Sequence, residues 1–167
     1  MELTFKTIIL FGSVILTGLS AGFFYAWSVS VIPGTAKVPD LTYLETMQSI
    51  NKAILNPGFF VIFFGSLLLL SLSSISEFTG NKLAFWLLLG AAITYLTGTV
   101  GVTGLGNVPL NDQLEALNLA DISTQKMEEF RSYYEINWNR LHLIRTVFAL
   151  LTFLLAVLAL FIKTIKT

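Results

Sequence analysis

The chain has 167 residues, 54% of them from the hydrophobic set and only 12% charged, against roughly 25% charged in an average soluble domain. Ten Lys and Arg balance ten Asp and Glu, so there is neither a basic field to gather nucleic acid nor an acidic surface to mimic it. With no Cys and a single His, disulfide scaffolds, thiolate metal sites, Cys nucleophiles and, within one monomer, multi-His metal centres are excluded.

Crossing a hydrocarbon core takes about 20 uncharged, mostly apolar residues in a helix. Four stretches lack any charge: Thr7 to Ala36, Ala53 to Ser76, Leu83 to Asn111 and Thr146 to Ile162, the last long enough when extended back toward Trp138. These predict transmembrane helices over about 7–32, 57–76, 83–106 and 138–162. Lys6 and Leu19-Ser20-Ala21 imitate a secretory signal, but the apolar stretch continues through Phe23, Trp27 and Ile32, past the roughly 7–15 residues of a signal core. Trp27 and Trp86 suit either an interfacial belt or the bundle core. Asn56-Pro57 supplies a cap and a first-turn proline for helix 2. The fold class is therefore all-α: one integral membrane domain spanning 1–167, an antiparallel four-helix bundle.

Lys6, Lys82, Lys163 and Lys166, with Glu2 and Glu77, occupy the end that holds both termini and the 77–82 turn. Six basic and eight acidic residues fall at the other end, in two longer loops. Short loops obey the positive-inside rule best, so both termini are expected in the cytoplasm of a multi-pass protein in a bacterial inner membrane or its equivalent. Half of the twenty charges lie between Asp112 and Arg145, which predicts a long polar loop before helix 4. In loop 1, Leu44, Met47, Asn51, Ile54 and Leu55 recur at three- and four-residue steps, as in a short amphipathic helix lying over the bundle mouth.

Three polar motifs converge on that end. Met47-Gln48-Ser49-Ile50-Asn51, followed by Asn56-Pro57, also suits a surface helix ending in a capped turn. Gly104-Leu105-Gly106-Asn107-Val108-Pro109-Leu110-Asn111 reads as the end of helix 3, since Gly, Asn and Pro are ordinary stop signals. That account leaves two carboxamides at membrane depth, where an unpaired amide is costly. In the third motif, Tyr134, Trp138, His142 and Arg145 follow steps of four, four and three and share one helical stripe. Arg145 lies on the order of 10 Å deeper than Trp138, and an ionisable residue inside a span points to function. Its structural alternatives are snorkelling or pairing with Glu135 or Asp112. Arg140, on another face, suits an interfacial anchor. The small residues of helices 1 and 3 suit close helix packing, and Phe59, Phe60, Phe63 and Phe64 suit packing or lipid contact. No nucleotide-binding, metal or nucleophile-elbow motif is present.

Met-Gln-x-Ile-Asn with Asn-Pro before helix 2, Val-Pro-Leu-Asn after helix 3 and Trp-Asn-x-Leu-His-x-x-Arg entering helix 4 resemble the four-helix membrane family that includes the fungal anthrone oxygenases. The resemblance covers essentially the whole chain. It implies oxidation of an anthrone-like phenolic CH₂ to a quinone by O₂ without metal, flavin or haem. A deprotonated anthrone reduces O₂ itself, so the protein supplies a base, an oxyanion site and a dry pocket. His142 is the candidate base and Arg145 the candidate oxyanion holder. Gln48, Asn51, Asn107, Asn111 and Asn139 are candidate polar contacts, and Tyr134 and Trp138 a flat wall.

Two other readings stay open. A non-catalytic binder or carrier of a small amphipathic molecule uses the same polar mouth and, at four helices, calls for a homo-oligomer. In a membrane scaffold the His and Arg only satisfy loop carboxylates. The expected partners are a small hydrophobic or aromatic molecule and the lipid bilayer.

Overall fold

The computed structural model describes residues 4–165, with side chains described through residue 163; Glu2 and Lys166 of the charge count lie outside the described residues. Four helical rods, each long and apolar enough to cross a membrane, span Phe5–Thr35, Pro57–Glu77, Lys82–Glu115 and Thr124–Lys163. Rod 1 is α1 (Phe5–Ala26), a π-helical turn π1 (Trp27–Val31) and a short α2 (Ile32–Thr35). After α3 (Asp40–Ala53) comes rod 2, α4 (Pro57–Glu77). Rod 3 runs through α5 (Lys82–Thr94), π2 (Tyr95–Gly101), π3 (Thr103–Asn107) and α6 (Val108–Glu115). Rod 4 is α7 (Thr124–Ile165).

Each rod runs opposite to its neighbours. Ser13 of α1 hydrogen-bonds Ser73 of α4 at 2.9 Å, while nearer the other end a Cβ on Gly65 would meet Leu16. The same reversal joins α7 to rod 1, through Gly18 against Phe153 and Trp27 against Trp138, and to rod 3, through Gly98 against Phe148 and Asn107 bonded to the Trp138 carbonyl. Lipid tails are as apolar as leucine, so close approach and hydroxyl bonds hold such rods together. Gly98 shows the tightness: a Cβ there would lie 1.9 Å from the Phe148 ring. Outward, Leu143, Val147, Leu151, Leu154 and Leu158 of α7 are exposed, as a lipid-facing surface requires.

Thr4 caps α1, Asn56 caps α4 as the sequence led us to expect, and Asn81 caps α5. At the terminal end, the buried Glu77 carboxylate accepts from Lys163 at 2.6 Å and from the Asn81 N–H at 3.2 Å. Rod 4 is thereby fixed beside the turn between rods 2 and 3.

Two boundaries differ from the sequence reading. Rod 4 begins at Thr124 rather than near 138, so the polar stretch is mostly helix and only 116–123 remain as loop. Ser123 caps it, Gln125–Glu129 pair on its exposed side and Arg131–Glu135 in a half-buried position, and Met127, Phe130, Tyr134 and Trp138 pack inward. Rod 3, for its part, passes through Gly104 and Pro109 instead of stopping there. A proline inside an α-helix clashes with the carbonyl four residues back, and a π turn widens the backbone ahead of the ring. The Val108 N–H reaches back five residues to the Thr103 carbonyl immediately before Pro109. Ile32 reaches Trp27 in the same way immediately before Pro33.

At the loop-rich end α3 is the expected amphipathic helix, burying Tyr43, Leu44 and Met47 against Leu110, Leu114, Leu119, Tyr134 and Trp138. Gln48 ties it to the end of rod 3 and the loop that follows, through the Leu114 and Leu117 carbonyls at 2.9 and 3.1 Å. Arg131, which the sequence did not single out, clamps it to rod 4. Its guanidinium binds the Val38 carbonyl and Asp40 at 2.7 Å each, pairs with Glu135 at 3.1 Å and lies over the Tyr43 ring. Burial, with the Glu135 carboxylate adding to it, pushes the Tyr43 phenol well above its ordinary range.

Candidate functional site

Beneath α3 the rods part around a cavity of about 650 Å³, within the usual range of small-molecule sites. Its walls are largely aromatic: Phe23, Phe24 and Trp27 from rod 1, Phe59, Phe60, Phe63 and Phe64 from rod 2, and Trp138 from rod 4. The phenylalanines of α4 thus line the cavity, where the sequence reading assigned them to packing or lipid. Ile50 and Asn51 of α3, with Ile54 and Leu55 just after it, form the roof, and Val100, Thr103, Gly104, Val108 and Asn111 the rod 3 wall. Lys52, Asp112 and Glu115 sit at the rim, where Lys52 and Glu115 pair at 2.8 Å. All three π turns contribute wall residues, in keeping with the frequency of such turns at functional sites.

Arg145 lies in the inner wall and is 8% exposed. Its guanidinium carbon sits 4.8 Å from the Phe24 ring and 4.9 Å from the Trp138 ring, an aromatic sandwich that favours a cation. Nη1 donates to Thr103 Oγ1 at 3.4 Å, while Nε and Nη2 lie 3.1 and 2.9 Å from His142 Nδ1. Among the described residues no Asp or Glu oxygen pairs with it, and Glu135, one partner considered from sequence, pairs with Arg131.

His142 stands behind this group and does not line the cavity. It is 1% exposed and stacks on Trp138 at 5.1 Å and 7°. A guanidinium only donates, so Nδ1 is the acceptor and the ring proton sits on Nε2. From there it faces the Phe24 carbonyl at 3.1 Å, with Ser28 Oγ at 3.0 Å and Thr146 Oγ1 at 3.3 Å. Both ring nitrogens are engaged, and the proton faces rod 1 rather than the cavity.

The carboxamides divide. Asn111 lines the cavity and accepts from Trp138 Nε1 at 2.9 Å and Tyr134 Oη at 3.0 Å, which fixes the indole. Asn51 lines it from above and donates to Tyr134 Oη at 3.3 Å. Tyr134 is buried behind both. Asn107 is buried beside Trp138, donating to its carbonyl at 3.3 Å and leaving Oδ1 without a partner. Gln48 braces α3, and Asn139 is half-buried, neither of them lining the cavity. Of the nine residues singled out from sequence, Asn51, Asn111, Trp138 and Arg145 share the cavity wall, while Tyr134, His142 and Asn107 form its backing. Thr103 and the phenylalanine wall were missed; a hydroxyl one turn from the Asn107 motif was the available signal for the first.

A family model for anthrone oxygenase matches residues 56–155. The chain belongs to the anthrone oxygenase family. The match takes in α4, all of rod 3 and α7 as far as Leu155, and hence every cavity-wall element except rod 1 and the α3 roof. Searches of curated proteins and of solved structures return no match. In this anthrone oxygenase family member a buried guanidinium and a set of aromatic rings share one cavity wall.

Proposed function

We propose that the protein is a cofactor-independent membrane oxygenase, or a related proton-abstraction enzyme, acting on a small, flat phenolic or quinone-like molecule. The observation that carries this reading is Arg145, a buried cation that has no carboxylate partner among the described residues and stands in the wall of an aromatic cavity. Such a charge is costly inside a membrane bundle and favours an anionic ligand. A bound anthrone loses a CH₂ proton more readily because its conjugate base carries the charge on oxygen, where the guanidinium meets it. The electron-rich carbon then reduces O₂. One oxygen atom becomes the new carbonyl and the other leaves as water with the two hydrogens of the CH₂.

In this mechanism Arg145 is the catalytic residue and Trp138, oriented by Asn111, is the flat wall. His142 acts through Arg145: its acceptor nitrogen sets the guanidinium plane, and it is a positioning residue rather than the group that meets the substrate. All the walls come from one chain, so the reading does not require the homo-oligomer that carriage would. A path across the membrane finds no support, because Leu10, Leu70, Leu88, Ala91, Tyr95, Ala156 and Ala159 fill the other half of the bundle. With the short basic connections in the cytoplasm, the cavity belongs to the opposite leaflet of a bacterial inner membrane or its equivalent.

The test is O₂ uptake by the protein in lipid vesicles supplied with anthrone, with anthraquinone followed by absorbance. One O₂ per anthraquinone is expected, with a rate lower by about 10²-fold in Arg145→Gln, as for other lost oxyanion donors. Uptake no faster than in protein-free vesicles rejects the enzyme. Binding without turnover would leave the non-catalytic binder.

A further inference from the structure

We infer that the cavity takes its ligand sideways from the bilayer, through a slot between α4 and the π3–α6 stretch of rod 3, and that Gly104 keeps the slot open. The inference rests on the reading above, in which the ligand is a flat aromatic molecule, and adds where that molecule comes from. Rod 2 turns Gly65 and Ser73 toward rod 1 and Phe63 toward Tyr95. Phe60 and Phe64, on the flank facing rod 3, line the cavity and yet keep 39% and 51% of their surface exposed. Rod 2 packs closely on α5 and only sparsely on the rest of rod 3.

Across the gap stand Gly104 and Val108, the latter 42% exposed. A Cβ added at Gly104 would meet nothing within 4 Å, so close helix packing does not account for the missing side chain. Gly104 is itself exposed, as is Leu105 beside it at 87%, so this stretch of the rod faces out of the bundle. The four residues bordering the slot carry no polar side-chain atom. The aqueous rim is polar by contrast: Asn51, Lys52, Asp112 and Glu115 line it, and the Lys52–Glu115 pair ties α3 to α6. A flat phenol dissolves among acyl chains, so the apolar opening faces the phase that holds it.

The experiment uses the chain's own tryptophans. Trp27 and Trp138 line the cavity, and Trp86 is 63% exposed on α5, so in Trp86→Phe the fluorescence reports the cavity alone. The full chain in phosphatidylcholine vesicles is titrated with lipid brominated on its acyl chains and, separately, with iodide in the water. Brominated chains are expected to quench and iodide is not. Adding Gly104→Phe should weaken the bromine quenching about twofold or more by filling the slot, and Phe64→Ala should strengthen it. Quenching by iodide instead, or bromine quenching untouched by both variants, overturns the inference. Gly104→Phe enters open space, and Phe64→Ala tests the slot in the opposite direction should the first variant misfold. No ligand is added, so the outcome is independent of whether anthrone is oxidised or Arg145 binds an anion.

Discussion

His142 Nδ1 receives Nε and Nη2 of Arg145 at 3.1 and 2.9 Å, one helical turn away on α7. The only imidazole in the chain is thus the acceptor that fixes the plane of the deepest cation, while its proton is turned to the backbone of rod 1.

From this pair follows the first prediction. His142→Asn retains an acceptor near the Nδ1 position, whereas His142→Phe keeps the stack on Trp138 and loses the acceptor. Measured by anthrone oxidation in vesicles, the Phe variant should fall by roughly 10-fold or more while the Asn variant keeps most of the activity and the pH profile of the parent. Equal loss in both variants would mean that the imidazole itself takes the proton.

Removing both partners should help the fold and abolish the site. Replacing a buried ionic group by apolar side chains of similar volume is often neutral or stabilising by about 1–4 kcal/mol. Arg145→Met/His142→Phe is therefore expected to unfold at an equal or higher temperature than the parent and to lose binding of 1-naphthol. Arg145→Met alone leaves His142 Nδ1 unpaired and should be the less stable of the two. A large drop in the double variant would mark the pair as structural.

Gly98→Ala should be among the most damaging single methyl additions, because the new carbon would sit 1.9 Å from the Phe148 ring. Overpacking of this kind costs about 1–3 kcal/mol. In a Phe148→Ala background the same change should be far milder, and a thermal-melt cycle over the four combinations measures that coupling.

Tyr43 predicts a pH dependence. Its phenol is raised in the folded protein by burial, so above about pH 10, the ordinary tyrosine value, the unfolded chain holds fewer protons than the folded one and stability falls as pH rises. Tyr43→Phe should leave stability near pH 7 almost unchanged and flatten that alkaline loss. A slope that is identical in both proteins would place the titrating group elsewhere.

The proposed orientation is open to labelling, since the chain has no cysteine of its own. Thr79→Cys, in the turn between rods 2 and 3, should react with an impermeant maleimide only from the cytoplasmic side, and Ala120→Cys only from the other. The reverse pattern would invert the orientation without altering the bundle.

Gaps in charge were enough to find four spans, because no helix crosses hydrocarbon with carboxylates on its lipid face. The same criterion hid the start of α7. Residues Thr124 to Asn137 are good helix formers that also carry Glu128, Glu129, Arg131 and Glu135, and a search for uncharged spans treats them as loop. Spacing located the Tyr134–Trp138–His142–Arg145 stripe, since helical phase is countable in sequence. It could not say that His142 faces rod 1, which depends on the Phe24 carbonyl 118 positions away. Phe59 to Phe64 were illegible for another reason. In a membrane the outside is as apolar as the inside, so hydropathy does not separate a cavity wall from a lipid contact.

The π turns carry a consequence in terms of helical phase. Each holds about one residue more than an α-helical turn of 3.6, so everything beyond it is rotated about the rod axis. Asn111 meets Trp138 Nε1 at 2.9 Å after the chain has passed through π2 and π3. Rewinding 103–107 as α-helix with its length unchanged would carry Asn111 about 100° around the rod, away from the indole, with every side chain of the site still in the sequence. The cavity is specified by how the rod is wound ahead of each wall position as strictly as by which residues stand there.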